Sequence, residues 1–180
     1  SNNLSLTFYK HIKQIKPGHY FYIDKDFNIS QTRYYYPSID TTFKGSFEEA
    51  CIRFKLLFEQ SVERRMRTDV QLGGSLSGGL DSSSIIATMT GQKGVVNTFS
   101  ARFKGFKRDE GTFINQVVDS FNTCHHNIYI DGTDLVAQVD KLLFHHEEPF
   151  QSASINAQFA VYKAAREANT TVLLDGQGAD

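Results

Sequence analysis

A chain of 180 residues holds one medium domain, or one domain with a small appendage. A formal net charge of −1, with 40% hydrophobic and 22% charged residues, describes an ordinary globular chain and gives no support to nucleic-acid binding, which shows as a basic excess. No run of about 18 apolar residues is present to cross a membrane, and no charged-then-apolar leader opens the sequence.

Residues 1–43 differ in texture from the rest. His19-Tyr20-Phe21-Tyr22-Ile23 and Thr32-Arg33-Tyr34-Tyr35-Tyr36 are aromatic, strand-favouring runs. Pro17-Gly18 punctuates the first, and Asp24-Lys25-Asp26 with Asn28 supplies turn chemistry between them. A β-hairpin is expected, too small to be stable alone. Its tyrosines read as packing and edge pairing, with a binding surface as the sharper alternative.

A helix follows. Ser46 and Glu49 have capping-box spacing, and Phe47, Cys51, Phe54, Phe58, Val62 and Met66 recur at three- and four-residue steps on one apolar face. Glu63, Arg64, Arg65 and Arg67 fall in its last turns, where basic residues suit the helix dipole. A solvated face is the plainer reading of these arginines and anion contact the alternative. Cys51 on this stripe and Cys124 just before an expected strand read as buried thiols, without a disulfide, in a reducing cytoplasm.

Elements then alternate. Strands are expected over 70–76, 95–101, 126–130 and 170–174, and helices over 82–90, 110–121, 133–144 and 153–168. Phe113, Ile114, Val117, Val118 and Phe121 line one face of the second of these helices. This alternation predicts an α/β fold: a parallel sheet flanked by helices, with the N-terminal hairpin as an appendage.

The segment Leu76-Ser77-Gly78-Gly79-Leu80-Asp81-Ser82-Ser83 falls between the first of these strands and its helix. Open α/β sheets bind ligands there, beyond the carboxyl ends of the strands. Gly78 and Gly79 let the backbone turn sharply and bring N–H groups to phosphate oxygens, and the new helix adds its positive end. Ser77, Ser82 and Ser83 can add hydroxyl donors. Asp81 would repel a phosphate unless a bridging Mg²⁺ turned repulsion into attraction. A glycine turn capped by Asp81 or a serine is the bland reading, and the complete Ser-Gly-Gly-x-Asp-Ser string outweighs it. The loop lacks the lysine of kinase-like phosphate loops and the spacing of dinucleotide loops.

These residues resemble the pyrophosphate loop of the N-type ATP pyrophosphatases, and the wider sequence is similar to the glutamine-hydrolysing asparagine synthetases. Gln14-Ile15-Lys16-Pro17-Gly18-His19-Tyr20 with Tyr34-Tyr35-Tyr36-Pro37 resembles the hairpin that ends that family's glutaminase domain. Thr98-Phe99-Ser100-Ala101-Arg102-Phe103 resembles its second strand. Asp109-Glu110, Cys124-His125-His126, Glu148-Pro149 and Leu174-Asp175-Gly176-Gln177-Gly178-Ala179-Asp180 match in order and spacing. The resemblance implies an adenine-nucleotide α-hydrolase-like fold, with the end of a glutaminase-type domain over 1–43 and the first part of the synthetase domain over 44–180.

It also implies roles. Leu76 and Ala101 would contact the nucleoside through backbone groups, with Asp175 and Gly176 beside the same ATP. Ser77, Gly78, Gly79, Ser82 and Ser83 would cradle the pyrophosphate. Asp81 and Asp180 would share Mg²⁺, and Gln177 would lie at the reacting centre. Gln177 stands where the family often has glutamate, and an amide takes up no proton. The family's nucleophilic cysteine would lie upstream and its catalytic lysine downstream, so the chain resembles a fragment, inactive alone. The implied activity is ATP-dependent amide formation: adenylation of a carboxylate, aspartate by resemblance, then amidation by glutamine-derived ammonia. The implied partners are those small molecules, with no nucleic acid and no membrane, and the oligomeric state is left open. Another amidotransferase or β-lactam-type synthetase is the rival enzyme, and a nucleotide-binding module without turnover the rival from another class.

Three other signals carry less. His125-His126 and His145-His146-Glu147-Glu148 lack metal-site spacing and read as structural histidines. Lys104, Lys107 and Arg108 read as a solvated loop before a phosphate contact. Ser77 lacks the elbow of a hydrolase nucleophile.

Overall fold

The computed structural model describes residues 6–37, 43–107, 109–150, 152 and 154–177. The chain divides into two units, Ser1–Phe47 and Glu48–Asp180.

In the first unit, β1 (His19–Ile23) pairs antiparallel with β2 (Ile29–Arg33), with His19 opposite Arg33 and Ile23 opposite Ile29. The turn between them forms as its residues predict. The Asp24 carboxylate accepts the Asp26 and Asn28 amides, each at 2.9 Å, and the Asn28 side-chain amide, also at 2.9 Å. Gly18 has φ +68°, and a Cβ there would meet the Tyr35 carbonyl oxygen at 2.7 Å, so this close approach requires glycine.

In the second unit, α1 (Phe47–Arg65) leads into β3 (Leu72–Ser75), α2 (Leu80–Lys93), β4 (Val96–Arg102), α3 (Gly111–Ser120) and β5 (Thr123–Tyr129). Then come α4 (Gly132–His146), α5 (Ser154–Glu167) and β6 (Val172–Leu174). The sheet order is β5-β4-β3-β6, all parallel. The expected α/β fold is present, with helices on both faces. On one face, Val62 and Met66 from the end of α1, Ile86 and Met89 of α2 and Ile114 of α3 pack on Leu72, Leu76 and Val96. On the other, Val161 and Ala165 of α5 pack on Phe99.

Gly74 explains how closely α2 sits. A Cβ on Gly74 would stand 2.3 Å from Ile86 Cδ1, so β3 gives up a side chain to admit the helix. That approach fixes the start of α2 at the carboxyl end of β3.

Two expectations need correction. The apolar stripe of α1 is buried at its end alone: Val62 and Met66 are core, whereas Phe47 and Phe54 are 79% and 70% exposed. Within the second unit, the sheet reaches under the last two turns of this helix and leaves the earlier ones uncovered. The two cysteines are free but exposed rather than buried. Cys51 lies on the uncovered part of α1, and Cys124 lies near the start of β5, at the edge of the described sheet.

Element bounds differ from the sequence reading mainly at α2, which starts at Leu80 inside the glycine loop, and at β5, which starts at Thr123. The adjacent histidines face opposite sides of β5. His126 stacks on Phe99 with ring centroids 4.7 Å apart, and His125 meets the Thr98 hydroxyl at 3.0 Å. Among the described residues, no helix is long and apolar enough to cross a membrane.

Candidate functional site

β3 lies inside the sheet between β4 and β6, although β6 is the last strand in sequence among the described residues. The chain runs outward from β3 through β4 to β5 and then returns to the other side of β3. The strand order therefore reverses between β3 and β6, a topological switch point of the kind where open α/β sheets form their binding crevice.

The first loop is ordered by its own side chains. Ser82 is buried, and its hydroxyl meets the Ser77 hydroxyl at 3.0 Å and accepts the Ser77 amide at 3.2 Å. The Ser83 hydroxyl donates to the Gly79 carbonyl at 2.7 Å, inside the first turn of α2. These two serines brace the loop, and Ser77 is the exposed hydroxyl of the three. Gly78 has φ +85°, and a Cβ there would meet Phe113 Cβ at 3.0 Å and the Ile114 amide at 3.1 Å. The loop thus rests on the start of α3. Gly79 caps α2, so Leu80, Asp81 and Ser82 supply first-turn amides that have no intrahelical acceptor. Asp81 is exposed at this positive end.

The segment after β6 closes on the same helix start. A Cβ on Gly176 would stand 2.8 Å from the Ser82 amide nitrogen and 3.1 Å from Asp81 Cβ. The two glycine-bearing segments, far apart in sequence, are in backbone contact.

A cleft of about 300 Å³ opens beside this junction. Ser75, Leu76 and Ser77 line it from β3 and the loop, and Phe99, Ala101 and Phe103 from β4 and beyond. Ala157, Gln158 and Val161 close it from α5, and Asp175 and Gln177 from the second segment, with Glu110 and Ser154 at its edge. Leu76 is held on both sides: its amide donates to the Phe99 carbonyl at 2.9 Å, and its carbonyl accepts the Ser100 hydroxyl.

The wall from β4 is fixed by an ion pair. Arg102 and Asp109 meet at 2.8 Å, and the carboxylate also accepts the Phe103 amide at 2.9 Å. The Arg102 guanidinium, then the Phe103 N–H, hold the Asp109 carboxyl down at about 2. This closes the loop that carries Phe103 and Glu110 to the cleft.

Of the residues singled out from sequence, Leu76, Ser77, Ala101, Asp175 and Gln177 share the cleft. Gly176 lies against Asp81 and Ser82. Gly78, Gly79 and Ser83 shape the loop without lining the cleft. Asp180 and Gly178 lie outside the described residues, as does Arg108. Sequence reasoning missed the α5 wall, although Ala157, Val161 and Ala165 recur at four-residue steps, the signal of an inward helix face. A larger open groove of about 1080 Å³ runs beside α4, α5 and β6, lined by Lys141, Phe159 and Lys163 among others. It includes neither glycine segment.

A model of the family described as "Asparagine synthase" matches residues 53–180. The chain is 41% identical over 128 residues to the "Putative asparagine synthetase (glutamine-hydrolyzing) 2" of Methanocaldococcus jannaschii, covering 70% of this chain and 24% of that protein. It is 28% identical over 187 residues to the "Asparagine synthetase (glutamine-hydrolyzing) 3" of Bacillus subtilis, covering 96% of this chain and 30% of the relative. Against the Cricetulus griseus "Asparagine synthetase (glutamine-hydrolyzing)" the identity is 23% over 200 residues, covering 98% and 36% of the two chains. The chain thus spans between a quarter and just over a third of the length of these relatives.

Proposed function

The chain belongs to the asparagine synthase family, and on that premise we propose that the protein carrying it is an ATP-dependent amide-forming synthetase whose ATP half-site is the cleft described above. The observation that carries this reading is the contact of Gly176 with Asp81 and Ser82, which sets a second glycine segment against a phosphate-type loop. ATP would lie with its nucleoside against Leu76, Ala101 and Asp175, and its β- and γ-phosphates at the Ser77–Ser83 loop and the start of α2.

The reaction balances as two displacements. A carboxylate oxygen of the acceptor acid, aspartate in this reading, attacks the α-phosphorus. The bond from that phosphorus to the bridging oxygen breaks, and pyrophosphate leaves. Ammonia released from glutamine elsewhere in the protein then attacks the acyl carbon, and AMP leaves with the former carboxylate oxygen. The loop amides and the helix dipole would stabilise the charge that moves onto pyrophosphate.

The residues fit Mg²⁺. One exposed carboxylate at a phosphate loop suits an ion that keeps several waters and shares its remaining positions with substrate phosphates. Asp81 would hold it, with Asp180, and the ion would supply countercharge to the phosphate oxygens. Gln177 would contact the substrate by hydrogen bonding alone, because a carboxamide does not take up a proton at neutral pH. That residue is the reason to keep a different acceptor acid as the second reading.

The test is pyrophosphate release by the intact protein, with and without aspartate. Aspartate-dependent release is expected. Release with a different acid alone would move the assignment to another amidotransferase, and ATP binding without any release would leave a nucleotide-binding module.

A further inference from the structure

The cleft carries a charge that ATP binding leaves unused. Glu110 lines it in company with Ser77 and Gln177, and its carboxylate is exposed. The backbone of this residue is fixed on two sides. Its carbonyl accepts the Ile114 amide at 3.0 Å in the first turn of α3, and a Cβ on Gly78 would stand 3.3 Å from that same oxygen. Glu110 is therefore held against the phosphate-type loop.

The nearest arginine is already spent on its neighbour in sequence. Arg102 donates from Nε and Nη2 to the Asp109 carboxylate, and from Nη1 to Asn127 Oδ1 at 3.0 Å. Lys104 and Lys107 do not line the cleft. Among the described residues, no lysine, arginine or histidine forms part of its wall, and no ion pair reaches Glu110. A carboxylate beside bound phosphates raises the energy of the complex unless a positive group comes with the ligands. Asp81, at the start of α2, is the residue suited to Mg²⁺, and among the described residues no three carboxylate, histidine or cysteine groups converge as a metal site. The acceptor acid is the other source of positive charge. Its carboxylate must reach the α-phosphorus within this cleft, and the rest of the molecule is carried in beside Ser77, Glu110 and Gln177. Gln177 is neutral and offers such a molecule no charge.

We infer that Glu110 is a specificity-determining residue that takes the ammonium group of the acceptor, so that the cleft selects an amino acid over a plain carboxylic acid. This rests on the synthetase reading above.

The experiment is aspartate-dependent pyrophosphate release by the intact protein, with Mg·ATP titrated alongside, for the wild type, Glu110→Gln and Glu110→Asp. Glu110→Gln is expected to raise the KM for aspartate roughly tenfold, the scale of one hydrogen bond to a charged group, at unchanged affinity for Mg·ATP. Glu110→Asp keeps the charge and is expected to recover part of the loss. Succinate, the same dicarboxylate without the ammonium, serves as competitor. Its inhibition should not weaken in Glu110→Gln, because a repulsive charge has gone. An unchanged KM for aspartate would overturn the inference, as would an equal weakening of aspartate and succinate. A shifted Mg²⁺ dependence of ATP binding would also overturn it and make Glu110 a metal ligand. Release only with acids that lack an ammonium group would sink this inference and leave the synthetase reading in place. No release with any acid would remove that reading, and this inference with it.

Discussion

The Gly176 backbone lies against the Ser82 amide so closely that a Cβ on Gly176 would stand 2.8 Å from that nitrogen. The atoms it would strike are backbone, so no rotamer change can relieve the overlap. Gly176→Ala must therefore push the two segments apart. The expected outcome is a loss of about 1–3 kcal/mol in unfolding free energy, as for other overpacked sites, with at least a tenfold weaker grip on Mg·ATP. Thermal unfolding and nucleotide titration of the same preparation check both. A variant with wild-type affinity would show that the two segments do not act as one clamp.

Asp81 separates a metal role from a capping role. If its carboxylate holds Mg²⁺ beside the phosphates, Asp81→Ala loses the Mg²⁺ dependence of ATP binding. Binding of metal-free ATP should not weaken, because a negative charge has left the phosphate loop. Titrations with excess Mg²⁺ and with a chelator distinguish the two. Equal losses in both conditions would point to a folding defect.

Asp109 ties stability to acid. The Arg102 guanidinium, ahead of the Phe103 N–H, holds its carboxyl at about 2, below the ordinary 3.8. A carboxyl depressed in the fold contributes stability above its unfolded value and loses it as pH falls through the folded one. The difference in unfolding free energy between wild type and Asp109→Asn should be full above pH 3.8 and shrink as the pH approaches 2. Denaturant melts across that range are the measurement, and a pH-independent difference would contradict the assignment.

His125 acts in a higher window. Burial is the chief cause that moves it below its ordinary 6.5, with the positive charges of His126 and Arg102 adding to the shift. The unfolded chain then takes up the proton first. Stability is complete above pH 6.5 and declines as pH falls below it. His125→Gln should show a shallower decline over that window. Identical slopes would place the sensitivity elsewhere.

Much of this arrangement is legible in the residues. Alternating β-branched runs and amphipathic helices specify the parallel sheet, and Asp24 and Asn28 specify the hairpin turn. The Ser-Gly-Gly-x-Asp-Ser string marks the loop because glycine, hydroxyl and carboxylate chemistry all fall in one strand-to-helix junction. Burial was harder to read. The apolar period of α1 runs its full length, but period alone does not reveal how far the sheet extends beneath it. The same limit misplaced Cys51 and Cys124. The α5 wall was missed because which helix covers a cleft depends on strand order, and the order β5-β4-β3-β6 is a long-range property. Gly73-Gly74 within β3 did carry a readable signal, since glycine inside a strand marks close approach by another element.

The place of β6 has a consequence for how the protein acquires its site. Leu72 pairs with Val172 and Gly74 with Leu174, so the central strand waits for one of the last described elements to complete its hydrogen bonding on that side. Such distant closure is entropically slow. The Ser77–Ser83 loop forms from contacts close in sequence, yet Gly176 reaches it only once β6 has paired with β3. A ligand that bridges the two segments would hold β6 against β3 and protect the β6 amides from exchange.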